Sequence, residues 1–166
     1  VFELWKGTWD AVIVDTPSLG QFQSYLRAPE TISELVPTGT IKRQASSLAE
    51  VLADPSTTQV VLVVNPAELP VLETLEALET IKAEHLCPRP SIVMNRTIRS
   101  AGFTANQLGL LPTGPLKEAA EHQLSIETLQ SHWISEIDVD VSLPYLMGVL
   151  TPGEVALQLA DELSSR

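Results

Sequence analysis

The chain has 166 residues with 10 basic against 21 acidic side chains, a formal charge of -11, and nothing to replace the counterions of a nucleic-acid backbone; a general nucleic-acid binder is excluded. Cys87 is the only cysteine, which rules out an internal disulfide and fits a reducing compartment. No apolar run approaches the ~18 residues of a bilayer span and no basic-then-apolar leader opens the chain, so one cytoplasmic domain with a sizeable core is expected.

The chain opens Val1-Phe2-Glu3-Leu4-Trp5 without an initiator methionine and runs within ten residues into an apolar stretch, so a fragment of a longer protein is expected. Trp5 and Trp9, four apart, are read as packing near the first strand. Ala11-Val-Ile-Val14 is an unbroken apolar run that turns polar at Asp15-Thr16-Pro17-Ser18. Four apolar residues without alternation predict a strand covered on both faces, the habit of parallel sheets, with Asp15 at its carboxyl end. Two short helical patterns follow between Gln21 and Ala53, separated by Val36-Pro-Thr-Gly39. Gln59–Val64 is a second apolar run, ending on Asn65-Pro66, and Ser91–Met94 a third, ending on Asn95-Arg96.

Between them, Glu68 to His85 has Val71, Leu72, Leu75, Leu78 and Ile81 three or four apart, with Glu73, Glu76 and Glu79 interleaved as a solvated face. This predicts an amphipathic crossover helix and hence a βαβ unit. Arg99 to Pro115 reads as irregular, a helix is expected from about Leu116 to Ser135, and Ile137–Leu143 alternates like a more exposed strand ending at Pro144. A closing helix begins at Pro152 with Thr151 as its N-cap. The expected fold is therefore α/β, a mostly parallel sheet flanked by helices.

In such a sheet Asp15, Asn65 and Asn95 would line one edge, where ligands bind. An aspartate there can orient a magnesium ion through its water shell, and Gly20, five residues on, lets backbone approach a terminal phosphate. Other chemistry finds little support. Glu118 and His122, four apart, lack further metal ligands and read as an exposed pair, and Ser18 and Ser24 lack a histidine-acid partner.

The spacing carries more than the residue types. Asp15-Thr16, then Gly20 and Pro29, resembles the second switch segment of the arsenical-pump and tail-anchored-protein-targeting ATPase family, written D-T-A-P-T-G-H-T with a later proline. Asp54-Pro-Ser-Thr-Thr58 resembles that family's approach to its next strand, Glu73-Thr74 its following helix, Ile92-Val-Met-Asn95-Arg96 its V-x-N-R strand end, and Leu143-Pro144 with Pro152-Gly-Glu its closing region.

The resemblance implies a fold like that of the phosphate-loop NTPases and covers their carboxyl-terminal portion, with a short helical insert at about 21–53. It implies ATP and Mg²⁺ as cofactors and Asp15 as the catalytic acidic residue and magnesium ligand. Gly20 would belong to the γ-phosphate-sensing loop. Asn95, with Arg96 and Pro144, would hold the adenine. A homodimer, or a heterodimer with a paralogous ATPase, is implied, with a membrane protein as partner or client and peripheral membrane contact among the open roles.

The chain departs from the family at Pro17-Ser18-Leu19 and at Gln21, which stands in the place of the switch histidine. No G-x-x-x-x-G-K-[ST] occurs, so the chain alone is expected to be inactive. A non-catalytic paralogue or regulatory subunit, or an unrelated flavodoxin-like binding module, is the alternative.

Overall fold

The computed structural model describes residues 7–148 and 150–164. Contacts divide it into two units, one of residues up to Val60 with Glu73–Pro90, the other of Val61–Leu72 with residues from Ser91 onward.

The first unit is helical. Helix α1 (Leu19–Leu35) and helix α2 (Thr40–Ala53) pack together around the Val36–Gly39 break, and Gly39 takes φ 112°, which a side chain disfavours. Phe22, Leu26 and Pro29 of α1 and Ala45 of α2 are buried, while Ser33 and Ser46 share a hydroxyl hydrogen bond of 2.9 Å. Pro29 has no N–H to complete the helix ladder and sits there as a buried apolar surface. Arg27 of α1 grips Glu84 in a two-pronged ion pair, with the second contact at 2.9 Å. The guanidinium holds the Glu84 carboxyl below its usual range.

Ala11–Val14 forms no strand, which corrects the expectation from its sequence; Val12, Ile13 and Val14 are 40%, 94% and 51% exposed. A strand exists only where a neighbour accepts and donates its ladder hydrogen bonds, and this run has no such neighbour among the described residues. Trp9 is 68% exposed rather than packed, and Trp5 lies outside the described residues.

The second unit carries the sheet. Strands β1 (Val61–Val64), β2 (Ser91–Thr97) and β3 (Val141–Pro144) lie parallel in the order β1-β2-β3. β2 is the central strand, and Ile92, Val93 and Met94 are buried in succession, as a strand covered on both faces requires. β1 differs from its expectation: Leu62 and Val64 are buried but Val61 and Val63 are 48% and 63% exposed, so this edge strand is covered on one face. Helix α3 (Glu68–Glu84) links β1 to β2 and runs through both units. It buries Val71, Thr74, Ala77 and Ile81 and exposes Glu73, Glu76 and Glu79 as predicted. The buried stripe is built partly from small residues, so Leu72, an expected core residue, is left 48% exposed.

A short helix α4 (Ala105–Gly109), closed by a Thr104–Gln107 capping box, interrupts the stretch expected to be irregular. Helix α5 (Pro115–Ser135) then leads to β3, which is shorter than the predicted 137–143 strand. Asp140 starts β3 by donating its N–H to the Ile92 carbonyl at 3.0 Å and accepting the Ile92 N–H on its carboxylate at 2.7 Å. Helix α6 (Pro152–Ser164) begins at Thr151, whose hydroxyl and backbone N–H both donate to Glu154 at 2.7 Å while the Glu154 N–H returns to the hydroxyl. The predicted N-cap is thus a full capping box. No described helix is long and apolar enough to cross a membrane.

Candidate functional site

In register with one another, Val64 of β1 faces Met94 of β2, which places Asn65 and Asn95 side by side at the carboxyl ends of parallel strands. That edge is where open parallel sheets bind ligands. The ladder between β2 and β3 pairs Met94 with Ser142 and Thr97 with Pro144, so β2 spends three residue steps where β3 spends two. The extra residue is a bulge at Asn95-Arg96. Arg96 absorbs it by taking φ 57°, a left-handed conformation uncommon for a non-glycine residue. The Asn95 Oδ1 accepts the Arg96 N–H at 2.9 Å, which supports that turn and leaves the Asn95 amide nitrogen to donate elsewhere. Strained backbone of this kind concentrates at functional sites.

Beyond the bulge, the chain is held tightly. The Thr97 hydroxyl donates to the Leu143 carbonyl at 3.0 Å, and the Tyr145 N–H donates to the Thr97 carbonyl at 2.8 Å. Gln130 of α5, buried to 8% exposure, clamps the next residue: its Oε1 accepts the Ile98 N–H at 2.8 Å and its Nε2 donates to the Ile98 carbonyl at 2.5 Å. One turn earlier, Glu127 accepts the Ala101 N–H and the Ser100 hydroxyl, each at 2.8 Å, and the Gln123 Nε2–H at 2.9 Å. These three donors, the Ala101 amide first, hold the Glu127 carboxyl below its usual range. Ala120, Gln123, Glu127 and Gln130 are spaced three, four and three residues apart, one face of a helix, so α5 fixes the whole exit of β2 from a single stripe.

This fixed segment borders an open cleft of ≈ 780 Å³, within the range of about 300–1,000 Å³ usual for small-molecule sites. Ile98 and Arg99 form one wall and Pro144, Tyr145, Leu146 and Met147, after β3, another. Gln123 of α5 and Gln158, Asp161 and Glu162 of α6 complete it. Arg99 is bound to Glu162 in an ion pair, which ties α6 to the β2 exit. With its only cation engaged and two carboxylates in its lining, the cleft opposes an anionic phosphate. Its apolar loop and its acceptors suit a flat, neutral ring that carries a donor.

Of the residues singled out from sequence, Pro144 lines the cleft, while Asn95 and Arg96 sit just before its Ile98 wall at the bulge. Asp15 is exposed, in a segment without regular structure. Gly20 lies in the first turn of α1 with nothing within 4 Å of the place its Cβ would take. Asp15 and Gly20 belong to the first unit and the cleft to the second. Asp54-Pro-Ser-Thr-Thr58 serves to terminate a helix. The Asp54 carboxylate accepts from the Ser56 hydroxyl at 2.7 Å and its N–H at 2.8 Å, and the hydroxyls of Thr57 and Thr58 end α2 on the Val51 carbonyl. Glu118 and His122 are exposed, and among the described residues no three His, Cys, Asp or Glu side chains gather to hold a metal.

Sequence reasoning missed Gln123, Glu127 and Gln130. Their spacing put three polar residues capable of hydrogen bonding on one helix face, and that was the signal available.

No protein-family model matches the chain. A stretch of 90 residues, 54% of the chain, is 33% identical to Putative ATPase Mb3704 of Mycobacterium bovis and to ATPase BagA of Mycobacterium tuberculosis. The matched stretch spans 26% of each of these relatives. The chain is therefore related, over about half its length, to proteins named as ATPases, and has the α/β fold with a parallel sheet expected of it.

Proposed function

We propose that this chain supplies the base-binding end of an ATP site in an ATPase of the arsenical-pump and protein-targeting kind. The observation that carries the reading is the cleft at the carboxyl ends of β2 and β3, whose loop after β3 is apolar and whose lining charges oppose phosphate. The relatives named as ATPases and the strained turn at Arg96 support it. Asn95 at the bulge donates to the base edge, and Pro144 with the loop after it covers the ring.

Magnesium would be held through water by Asp15, because Mg²⁺ keeps several waters and takes one or two carboxylates alongside the phosphates. Gly20 would belong to the loop that senses the terminal phosphate, a role that rests on the resemblance of the 15–20 segment to that family's second switch. ATP when bound supplies the phosphoryl group; these residues bind and orient. Hydrolysis needs a cradle of backbone N–H groups and a lysine that this sequence does not contain, so the chain alone is inactive and works within a longer protein, as a dimer of itself or with a paralogue. A cytoplasmic protein that meets the membrane through a partner is the setting that this reading gives it.

The test is a titration of the full-length protein, and of its Asn95→Ala variant, with labelled ATP and GTP while mass is followed in solution. The expected outcome is preference for ATP, association on loading, and a loss of roughly 1–3 kcal/mol of ATP binding in the variant. Equal binding of ATP by the variant, or preference for GTP, removes the role of Asn95.

A further inference from the structure

The geometry points to Gln123 as the residue that selects adenine, by accepting a hydrogen bond from the exocyclic amine of the base. The inference rests on the proposed base-binding cleft and extends it from ring shape to ring identity. A glutamine amide can present either of two ends, and which one it presents decides what it recognises. Here the choice is forced. Glu127 is an ionised carboxylate, which only accepts, so the amide must turn its Nε2 toward it, and the 2.9 Å contact is that bond.

Glu127 cannot itself rotate away, because the Ala101 N–H and the Ser100 hydroxyl hold its two oxygens, at 2.8 Å each. Among the described residues nothing donates to the Gln123 Oε1, and Gln123 lines the cleft. The end of the Gln123 amide left without a partner, in a residue that lines the cleft, is thus its carbonyl oxygen.

An acceptor so placed discriminates by chemistry. Adenine carries an amine where guanine and hypoxanthine carry a carbonyl, so adenine meets the Oε1 with a donor and the other two meet it with a second acceptor. Glu127 is a positioning residue in this scheme: it touches no ligand and sets the orientation of the group that does. Replacing it by glutamine, which can donate as well as accept, frees the Gln123 amide to turn over and present its nitrogen.

The experiment uses the full-length protein and three nucleotides: ATP, GTP and the triphosphate of purine riboside, which is ATP without its exocyclic amine. The parent should bind ATP about 3- to 10-fold tighter than the purine riboside compound, the worth of one neutral hydrogen bond. Gln123→Leu should bring the two to equal affinity by weakening ATP alone. Glu127→Gln should narrow both that ratio and the ratio of ATP to GTP, with the thermal midpoint of the unliganded protein recorded beside each variant. If the parent binds ATP and the ratio of ATP to the purine riboside compound is unchanged in Gln123→Leu, Gln123 does not read the amine and another acceptor such as Asp161 does, while the base-binding cleft stands. If no nucleotide binds to the parent, the cleft reading and this inference fail together.

Discussion

Ala11-Val-Ile-Val14 and Ser91-Ile-Val-Met94 are close to interchangeable in sequence, since each is a short apolar run followed by a polar residue, yet one is a segment without regular structure and the other is the centre of a sheet. Ile13 is 94% exposed and Met94 is 0% exposed. β1 stands between them, paired on one side and covered on one face. Hydrophobicity is therefore not the deciding variable. β2 has a hydrogen-bonded neighbour on each side and buries Ile92, Val93 and Met94, and the 11–14 run has no such neighbour among the described residues and leaves its apolar residues exposed. An apolar run states only that burial would be favourable; its partners decide whether the burial occurs.

The comparison breaks most sharply if single truncations in the two runs cost the same. Met94→Ala should destabilise the chain by about 2–5 kcal/mol, the range for emptying a filled core position, and Ile13→Ala by no more than about 0.5 kcal/mol. Denaturant titration of both variants beside the parent measures this, and similar midpoints would mean that the 11–14 run is buried in solution.

A smaller effect isolates what holds β2 in place at its exit. Gln130→Leu keeps the bulk of the side chain but leaves the Ile98 N–H and carbonyl without partners, which should cost about 1–3 kcal/mol. Amide hydrogen exchange should accelerate at Ile98 and not in the 11–14 run, where no ladder bond exists to lose. Unchanged exchange at Ile98 would show that the strand end needs no clamp.

The smallest effect is acid weakening. Glu127 has its folded-state pKa lowered from 4.5, so it binds fewer protons folded than unfolded near that value. Its contribution is present above pH 4.5 and is lost as pH falls through the lowered folded value. Because the group is solvent-accessible, the change should be small beside that of Met94→Ala. Glu127→Gln should show a shallower loss of stability between neutral pH and about pH 3 than the parent, and equal slopes would mean that the carboxylate's three donors do not hold it in solution.

Much of the fold was legible because local pattern and local chemistry agree. The glutamate-studded crossover helix, the paired helices broken at Val36–Gly39 and the Thr151-Pro152 start of the last helix follow from 3.6-residue periodicity and capping chemistry, which act over a few residues. Asn65 and Asn95 at adjacent strand ends were legible for a related reason, since parallel apolar strands end on one edge. The cleft was legible only at Pro144.

The rest depended on residues far apart in the chain. Sequence alone determined that this is an acidic chain of alternating apolar runs and amphipathic helices, which runs end on a polar residue, and where most helices start and stop, because each of these is set by composition or by neighbours within one or two turns. The tertiary structure alone decided that the 11–14 run pairs with nothing among the described residues, that β2 bulges at Arg96, and that Glu127 and Gln130 grip the segment after β2 across separations of about thirty residues. Those outcomes are settled by which backbone groups find partners once the chain is packed, and a hydrogen bond between Gln130 and Ile98 leaves no mark on the local pattern of either residue.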